Sequence, residues 1–186
     1  MRKLKLQMQL SVDGFVAGPN GELDWMTWDI DEKLGDLING LIDSSDTIVM
    51  GRKMTDGFVN YWTGLLDKPD DPEYEFAKKM VDTPKVVFTR TLTKSPWANT
   101  TVAGDLVKTI NEMKNAEGKD ILAYGGAELV SNLIAEDLID DYYLLVDRAA
   151  VGNGLRIFRN DSPLKLKLID SVKYSTGVVL NQYQRA

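Results

Sequence analysis

The chain has 186 residues, 44% of them apolar and 27% charged, and a net charge of −6. That suffices for one well-cored domain and argues against nucleic acid as the main partner, although a local basic pocket could still hold a phosphorylated ligand. With neither cysteine nor histidine, the chain cannot form disulfides, thiolate nucleophiles, Cys/His zinc sites or a Ser-His-Asp triad, so acid–base work falls to carboxylates, Lys, Tyr or water.

No apolar run approaches the ~20 residues of a membrane span. The basic start, Met1-Arg2-Lys3-Leu4-Lys5, leads into alternating residues rather than a signal-peptide core. A cytoplasmic protein with no membrane partner is expected.

Leu4, Leu6, Met8 and Leu10 alternate with Lys5, Gln7 and Gln9, the period of a half-buried strand. The glycine-rich stretch from Asp13 to Gly21 is a turn region. Leu34, Leu37, Ile38, Leu41 and Ile42 fall at helical spacing between Asp31 and Asp43. Thr47 to Met50 is a short apolar strand ending at Gly51. After a loop from Asp67 to Pro72, a short helix is expected over Glu73 to Val81. Lys85 to Phe88 forms a β-branched strand, and Asp105 to Asn115 a helix with Leu106, Ile110 and Met113 on one face. Ile121 to Tyr124 forms a strand that ends in Gly125-Gly126 and runs into a helix from Ala127 towards Leu138. Asp140 to Asp147 is another strand. Leu164, Leu166 and Leu168, then Val178 to Tyr183, read as two strands joined near Ser175-Thr176-Gly177.

Strands alternating with helices, closed by a hairpin, predict an α/β domain with a mostly parallel sheet and an antiparallel edge. No repeat or linker interrupts the chain, so residues 1–186 read as a single domain.

In such a sheet, ligands bind beyond the carboxyl ends of the strands. Three of those ends carry suitable groups: Gly51-Arg52-Lys53-Met54, Thr89-Arg90 and Gly125-Gly126. Adjacent glycines admit close approach to the backbone, and the helix that follows directs free N–H groups to the same point. Taken alone, the glycine pair fits a tight turn as well as a phosphate seat. Arg52-Lys53 alone fits a solvated helix start, and Thr89-Arg90 an ordinary loop. Together they put cations and free N–H groups on one rim, which suits a ligand with several phosphates. Neither G-x-G-x-x-G after the first strand nor a Walker A motif is present.

These stretches resemble the dihydrofolate reductase superfamily, specifically the branch of the riboflavin biosynthesis reductase domain and its stand-alone relatives. The resemblance is carried by Ser11 to Ala17, Asp46 to Met54, Lys85 to Arg90, Ile121 to Glu128 and Val151 to Phe158, which occur in the family's order. It implies a three-layer α/β/α domain, NADPH as cofactor, a homodimer, and reduction of a pteridine- or pyrimidine-type heterocycle. Gly51, Arg52, Lys53 and Met54 are then expected on the adenosine side, with Arg52, Thr89 and Arg90 around the 2′-phosphate. Gly125, Gly126, Ala127 and Glu128 are expected around the pyrophosphate, and Val16, Ala17 and Gly18 over the nicotinamide.

Trp25, Trp28 and Asp29 are expected near the substrate, and Asp31 as proton donor, its alternative role being a helix N-cap. Asp13 is expected to brace the turn at Gly14. The basic residues that would hold a ribosyl phosphate are not evident, and the zinc deaminase often fused to that reductase needs His and Cys that this chain lacks. A nucleotide-binding module without catalysis is the alternative reading.

Overall fold

The structure, a computed structural model, describes residues 1–159 and 163–186. Eight strands form one sheet: β1 (Leu4–Leu10), β2 (Ser45–Gly51), β3 (Lys85–Phe88), β4 (Thr100–Ala103), β5 (Asp120–Gly125), β6 (Asp141–Val146), β7 (Leu166–Lys173) and β8 (Val179–Arg185). Their order is β4-β3-β2-β5-β1-β6-β8-β7. All pairings from β4 to β6 are parallel, whereas β8 runs antiparallel to both β6 and β7. This is the mixed α/β sheet with a terminal antiparallel hairpin that the sequence pattern predicts.

The helices are α1 (Glu32–Asp43), α2 (Arg52–Leu65), α3 (Tyr74–Asp82), α4 (Leu106–Asn115) and α5 (Ala127–Ala135). On one face of the sheet, Leu4, Leu6, Val49, Ile121 and Ala123 pack with Ile110 of α4 and Leu129, Val130, Leu133 and Ile134 of α5. On the other, Ile48, Met50, Val87 and Leu122 pack with α1, α2 and α3 through Leu41, Phe58, Trp62, Ala77 and Met80. Ile48-Val49-Met50 and Ile121-Leu122-Ala123 are buried throughout because central parallel strands are covered on both faces. The result is three layers.

Two elements lie outside the sequence expectations. α2 fills the stretch after Met54, where Gly57, Gly64, β-branched and aromatic residues lower intrinsic helix propensity. Tertiary burial of Phe58, Trp62 and Leu65 settles the helix instead. β4 is a short, partly exposed strand on β3, too weakly patterned to read in isolation. α5 stops at Ala135, three residues before Leu138, where Asp137 takes a positive φ of 53°.

β1 is not half-buried in the simple sense. Its apolar residues face α4 and α5, while Lys5 lies against the opposite face, 2.7 Å from Asp120 and 3.1 Å from Ser44 Oγ. By the same alternation Gln7 and Gln9 lie on that second face.

Asp13 does not brace Gly14. Ser11 does, its Oγ accepting from the Phe15 amide at 2.9 Å. Asp13 instead accepts from Ser11 Oγ (2.6 Å) and the amides of Val151 (3.0 Å) and Gly152 (2.7 Å), tying the first loop to the loop after β6. These bonds, led by that from Ser11, pull its pKa down to about 2.

Candidate functional site

A cleft of about 1670 Å³ runs across the carboxyl ends of the strands. It exceeds the 300–1,000 Å³ usual for one small ligand.

Its most distinctive part lies at the neighbouring ends of β2 and β5, where Met50 pairs with Gly125. Both strands pass directly into helices, α2 after Gly51 and α5 after Gly126. Neither glycine offers a side chain, and neither helix has a side-chain cap among the described residues. The contrast is with α1 and α4, where Asp31 and Asp105 accept from the Leu34 and Lys108 amides at 2.9 and 3.0 Å. Two sets of unpaired N–H groups and two positive dipole ends therefore open into one cleft.

The glycines also set the spacing. A Cβ at Gly51 would lie 3.5 Å from Leu129 Cβ and 3.9 Å from the Gly126 nitrogen. At Gly125, with φ of +139°, a Cβ would come within 3.1 Å of Met54 Sδ. The Gly125–Gly126 peptide bond is cis.

Cations flank this seat. Arg52 and Lys53 open α2, and Thr89 and Arg90 follow β3; all four line the cleft. Lys53 stands 3.4 Å from Glu128, with both side chains exposed. That separation in open solvent is worth little as an ion pair and leaves the lysine available. Thr89 Oγ1 accepts from the Thr91 and Leu92 amides at 3.2 and 3.3 Å and so shapes the turn that carries Arg90.

The first loop forms the roof. Val16 and Ala17 line the cleft, held by bonds from the Val16 amide to the Leu155 carbonyl (2.8 Å) and from the Leu155 amide to the Ala17 carbonyl (2.9 Å). Gly18 does not line the cleft; its amide bonds to the Glu22 carbonyl, and a Cβ on it would overlap the Glu22 side chain.

Beyond the roof, the cleft passes under α1 and α2. Leu34, Gly35, Ile38 and Asn39 wall one side, and Phe58, Tyr61, Trp62, Phe76 and Tyr124 form an aromatic recess on the other. Phe58 meets Trp62 and Tyr124 edge to face at 6.2 and 5.1 Å between ring centres. Burial pushes the Tyr124 hydroxyl up to about 12, and the 2.6 Å bond to Glu73 does the same for Tyr61. Leu23, Trp28, Ile30 and Tyr61 expose apolar surface at the mouth, where a ligand would cover it.

Of the expected substrate residues, Trp28 lines the cleft, whereas Trp25, Asp29 and Asp31 do not. Asp31 caps α1 and accepts from Ser175 Oγ (2.6 Å) and the Ser175 amide (2.8 Å). Those bonds, from Ser175 first and Leu34 second, hold its carboxyl below the usual range, and a carboxylate so engaged has no proton to give at neutral pH. Gln7, Gln9, Asn39 and the aromatic recess went unread in the sequence. The glutamines had a signal, since amides alternating through a strand that both sheet faces cover must meet something polar.

The fold and the site define a dihydrofolate reductase-like α/β domain with a nucleotide-sized cleft at its strand ends. More specifically, the chain belongs to the RibD C-terminal domain family, whose pattern matches residues 2–180. It is 32% identical over 181 residues to the uncharacterized protein YyaP of Bacillus subtilis (strain 168), covering 96% of this chain and 92% of that protein. It is 30% identical over 180 residues to the uncharacterized protein YwjB of the same organism, covering 89% and 90%. Among solved structures, the "Putative riboflavin biosynthesis protein" from Shewanella sp. PV-4 superposes with a TM-score of 0.72 at 26% identity, over 100% of this chain and 99% of that one. The Thermotoga maritima diaminohydroxyphosphoribosylaminopyrimidine deaminase/5-amino-6-(5-phosphoribosylamino)uracil reductase shares the fold, with a TM-score of 0.71 at 16% identity over 57% of its length.

Proposed function

We propose that this protein is an NADPH-dependent reductase of a pteridine- or pyrimidine-type heterocycle. The observation that carries this reading is the pair of uncapped helix N-termini at the ends of β2 and β5, flanked by Arg52 and Arg90. NADPH, when bound, supplies the hydride. The chain's own residues bind and orient. The amides after Gly51 and Gly126 meet the pyrophosphate. Arg52 and Arg90 meet the 2′-phosphate through their planar forks. Val16 and Ala17 cover the reacting ring, and Trp28, Leu34, Ile38 and the aromatic recess hold a flat substrate against it.

Two carboxylates line the cleft among the described residues, Glu73 and Glu128. Glu73 holds the Tyr61 hydroxyl, and Glu128 stands beside the phosphate seat. With Asp31 committed to its cap, the proton accompanying hydride transfer comes from water in the open cleft. The same observation favours the second reading, a module that binds nucleotide without reduction; it is distinguished by nucleotide binding with no oxidation of NADPH in the presence of dihydrofolate or the aminouracil riboside phosphate.

The test is titration with NADPH and NADH followed by energy transfer from the tryptophans. Arg52→Ser and Arg90→Ser are each expected to weaken NADPH about tenfold, the usual scale of a charge-assisted bond, and NADH by less than twofold. Absence of NADPH binding at high micromolar concentration refutes the proposal.

A further inference from the structure

The end of β1 contains a polar network that the cofactor reading does not use. Gln9 lines the cleft, and its Nε2 donates to Asp147 Oδ2 at 2.8 Å and to the Thr27 carbonyl at 3.2 Å. Both partners only accept, since neither an ionised carboxylate nor a carbonyl has a proton to give. The amide is therefore fixed in one orientation by its chemistry. Both N–H groups are used, and Oε1, a strong acceptor, has no partner among the described residues.

Asp147 makes the arrangement rigid. Only 1% exposed, it also accepts from the Thr27 amide (2.6 Å), Thr27 Oγ1 (3.0 Å) and the Arg148 amide (2.6 Å). Burial works against the charge, but the bonds from Thr27, Gln9 and Arg148 outweigh it and hold the carboxyl below the usual range. One carboxylate thereby anchors both the Gln9 amide and the loop that carries Met26, Thr27 and Trp28 along the cleft wall. Gln7, two residues back on the same face and about 7 Å away, also lines the cleft, and its amide has no partner among the described residues. It can turn to donate.

We propose that Gln9 is a specificity-determining residue whose fixed Oε1 accepts a hydrogen bond from a ring N–H of the heterocycle, so that the site selects a lactam edge, C=O beside N–H, over its N-alkylated counterpart. Gln7 donates to the neighbouring carbonyl, and Leu34 and Ile38 provide apolar contact. Asp147 is a positioning residue that acts through Gln9. This inference rests on the reductase reading of the cleft and deepens it by naming the substrate edge that is read.

The probes are lumazine, which carries ring N–H groups, and 1,3-dimethyllumazine, which has none, each titrated by its own fluorescence with and without saturating NADP⁺. The wild type is expected to bind lumazine at least tenfold more tightly than the dimethyl compound, the scale of one hydrogen bond left unmade in a desolvated site. Gln9→Met fills the same space without the acceptor and is expected to weaken lumazine about tenfold while leaving NADP⁺ affinity within twofold. In Asp147→Asn either placement of the amide sets an N–H against the Thr27 or the Arg148 amide, which loosens the anchor of Gln9, so lumazine weakens with Gln9 itself intact.

The proposal is overturned if Gln9→Met binds lumazine as the wild type does, if the wild type binds the two probes equally or binds neither, or if Gln9→Met weakens NADP⁺ as much as lumazine, which would mean that the acceptor reads the nicotinamide carboxamide. Loss of NADP⁺ binding with lumazine discrimination intact overturns the cofactor reading alone.

Discussion

Replacing Gly154 with alanine tests how the roof of the cleft is held. A Cβ at this position overlaps the Ala17 carbonyl oxygen and comes within 3.2 Å of Phe15 Cδ1. Neither neighbour can swing aside as a flexible chain end would, because one is backbone and the other belongs to a ring 6% exposed in the core. The Ala17 carbonyl must move, and with it go the bonds joining Val16 and Ala17 to Leu155. Each buried backbone bond is worth about 0.5–1.5 kcal/mol net. Partial exposure of Phe15, Val16 and Ala17 brings the expected loss to roughly 2–4 kcal/mol. With a urea m-value of about 2–3 kcal/mol per M, the unfolding midpoint drops by about 1 M or more.

NADPH affinity is expected to fall at least tenfold in the folded variant, because Val16 and Ala17 leave their places over the cleft. Gly152→Ala is the comparison two residues away. Gly152 has φ of +79° with nothing within 4 Å of the added methyl, so it loses about 1–2 kcal/mol to backbone strain and leaves nucleotide binding unchanged. A Gly154→Ala midpoint within 0.2 M of wild type, together with unchanged NADPH affinity, would refute the account of the roof.

Lys114 is buried, donates 2.6 Å to the Leu138 carbonyl and pairs at 2.6 Å with Asp140, which also receives the Leu4 amide at 2.7 Å. Lys114→Met is expected to cost about 2–4 kcal/mol in urea unfolding, the partial exposure of Asp140 keeping it from the top of the range for a broken buried pair. Because the folded pKa of Asp147 lies below its ordinary 3.8, its contribution to stability is complete above that value and is lost as pH falls through the folded one. Acid titration of the urea midpoint should therefore show a shallower decline below pH 4 in Asp147→Asn than in wild type. Self-association is expected through β7, whose outer edge pairs with no strand among the described residues and whose Leu168 and Ile169 are exposed. Sedimentation should give a two-chain mass for the wild type and a one-chain mass for Leu168→Lys/Ile169→Lys, since a charged edge strand resists pairing.

The sequence by itself determined the layers and most of the cleft rim proposed to hold a nucleotide. Alternation in β1, the apolar runs of β2 and β5 and the helical spacing of α1 and α4 are local patterns, readable because burial on a strand or helix has a fixed period. The placement of Gly51, Arg52, Arg90 and the Gly125-Gly126 pair on the cleft rim was legible for a related reason: in a parallel sheet, strand ends are where ligands bind whatever the detailed packing. Tertiary structure decided the rest. Only the packing of Phe58, Trp62 and Leu65 against β2 and β3 makes a helix of α2, and only the contact of α1 with the β7–β8 turn engages Asp31 with Ser175.

Asp13 and Asp147 show the same limit. Beside one near partner, Ser11 or Arg148, each finds others more than a hundred residues away, Val151 and Gly152 for the first and Thr27 and Gln9 for the second. A carboxylate's sequence neighbours do not reveal which distant amides will surround it once the chain has closed. In this fold those long-range bonds fix the roof and the far wall of the cleft, whereas the proposed phosphate seat comes from groups already adjacent along the chain.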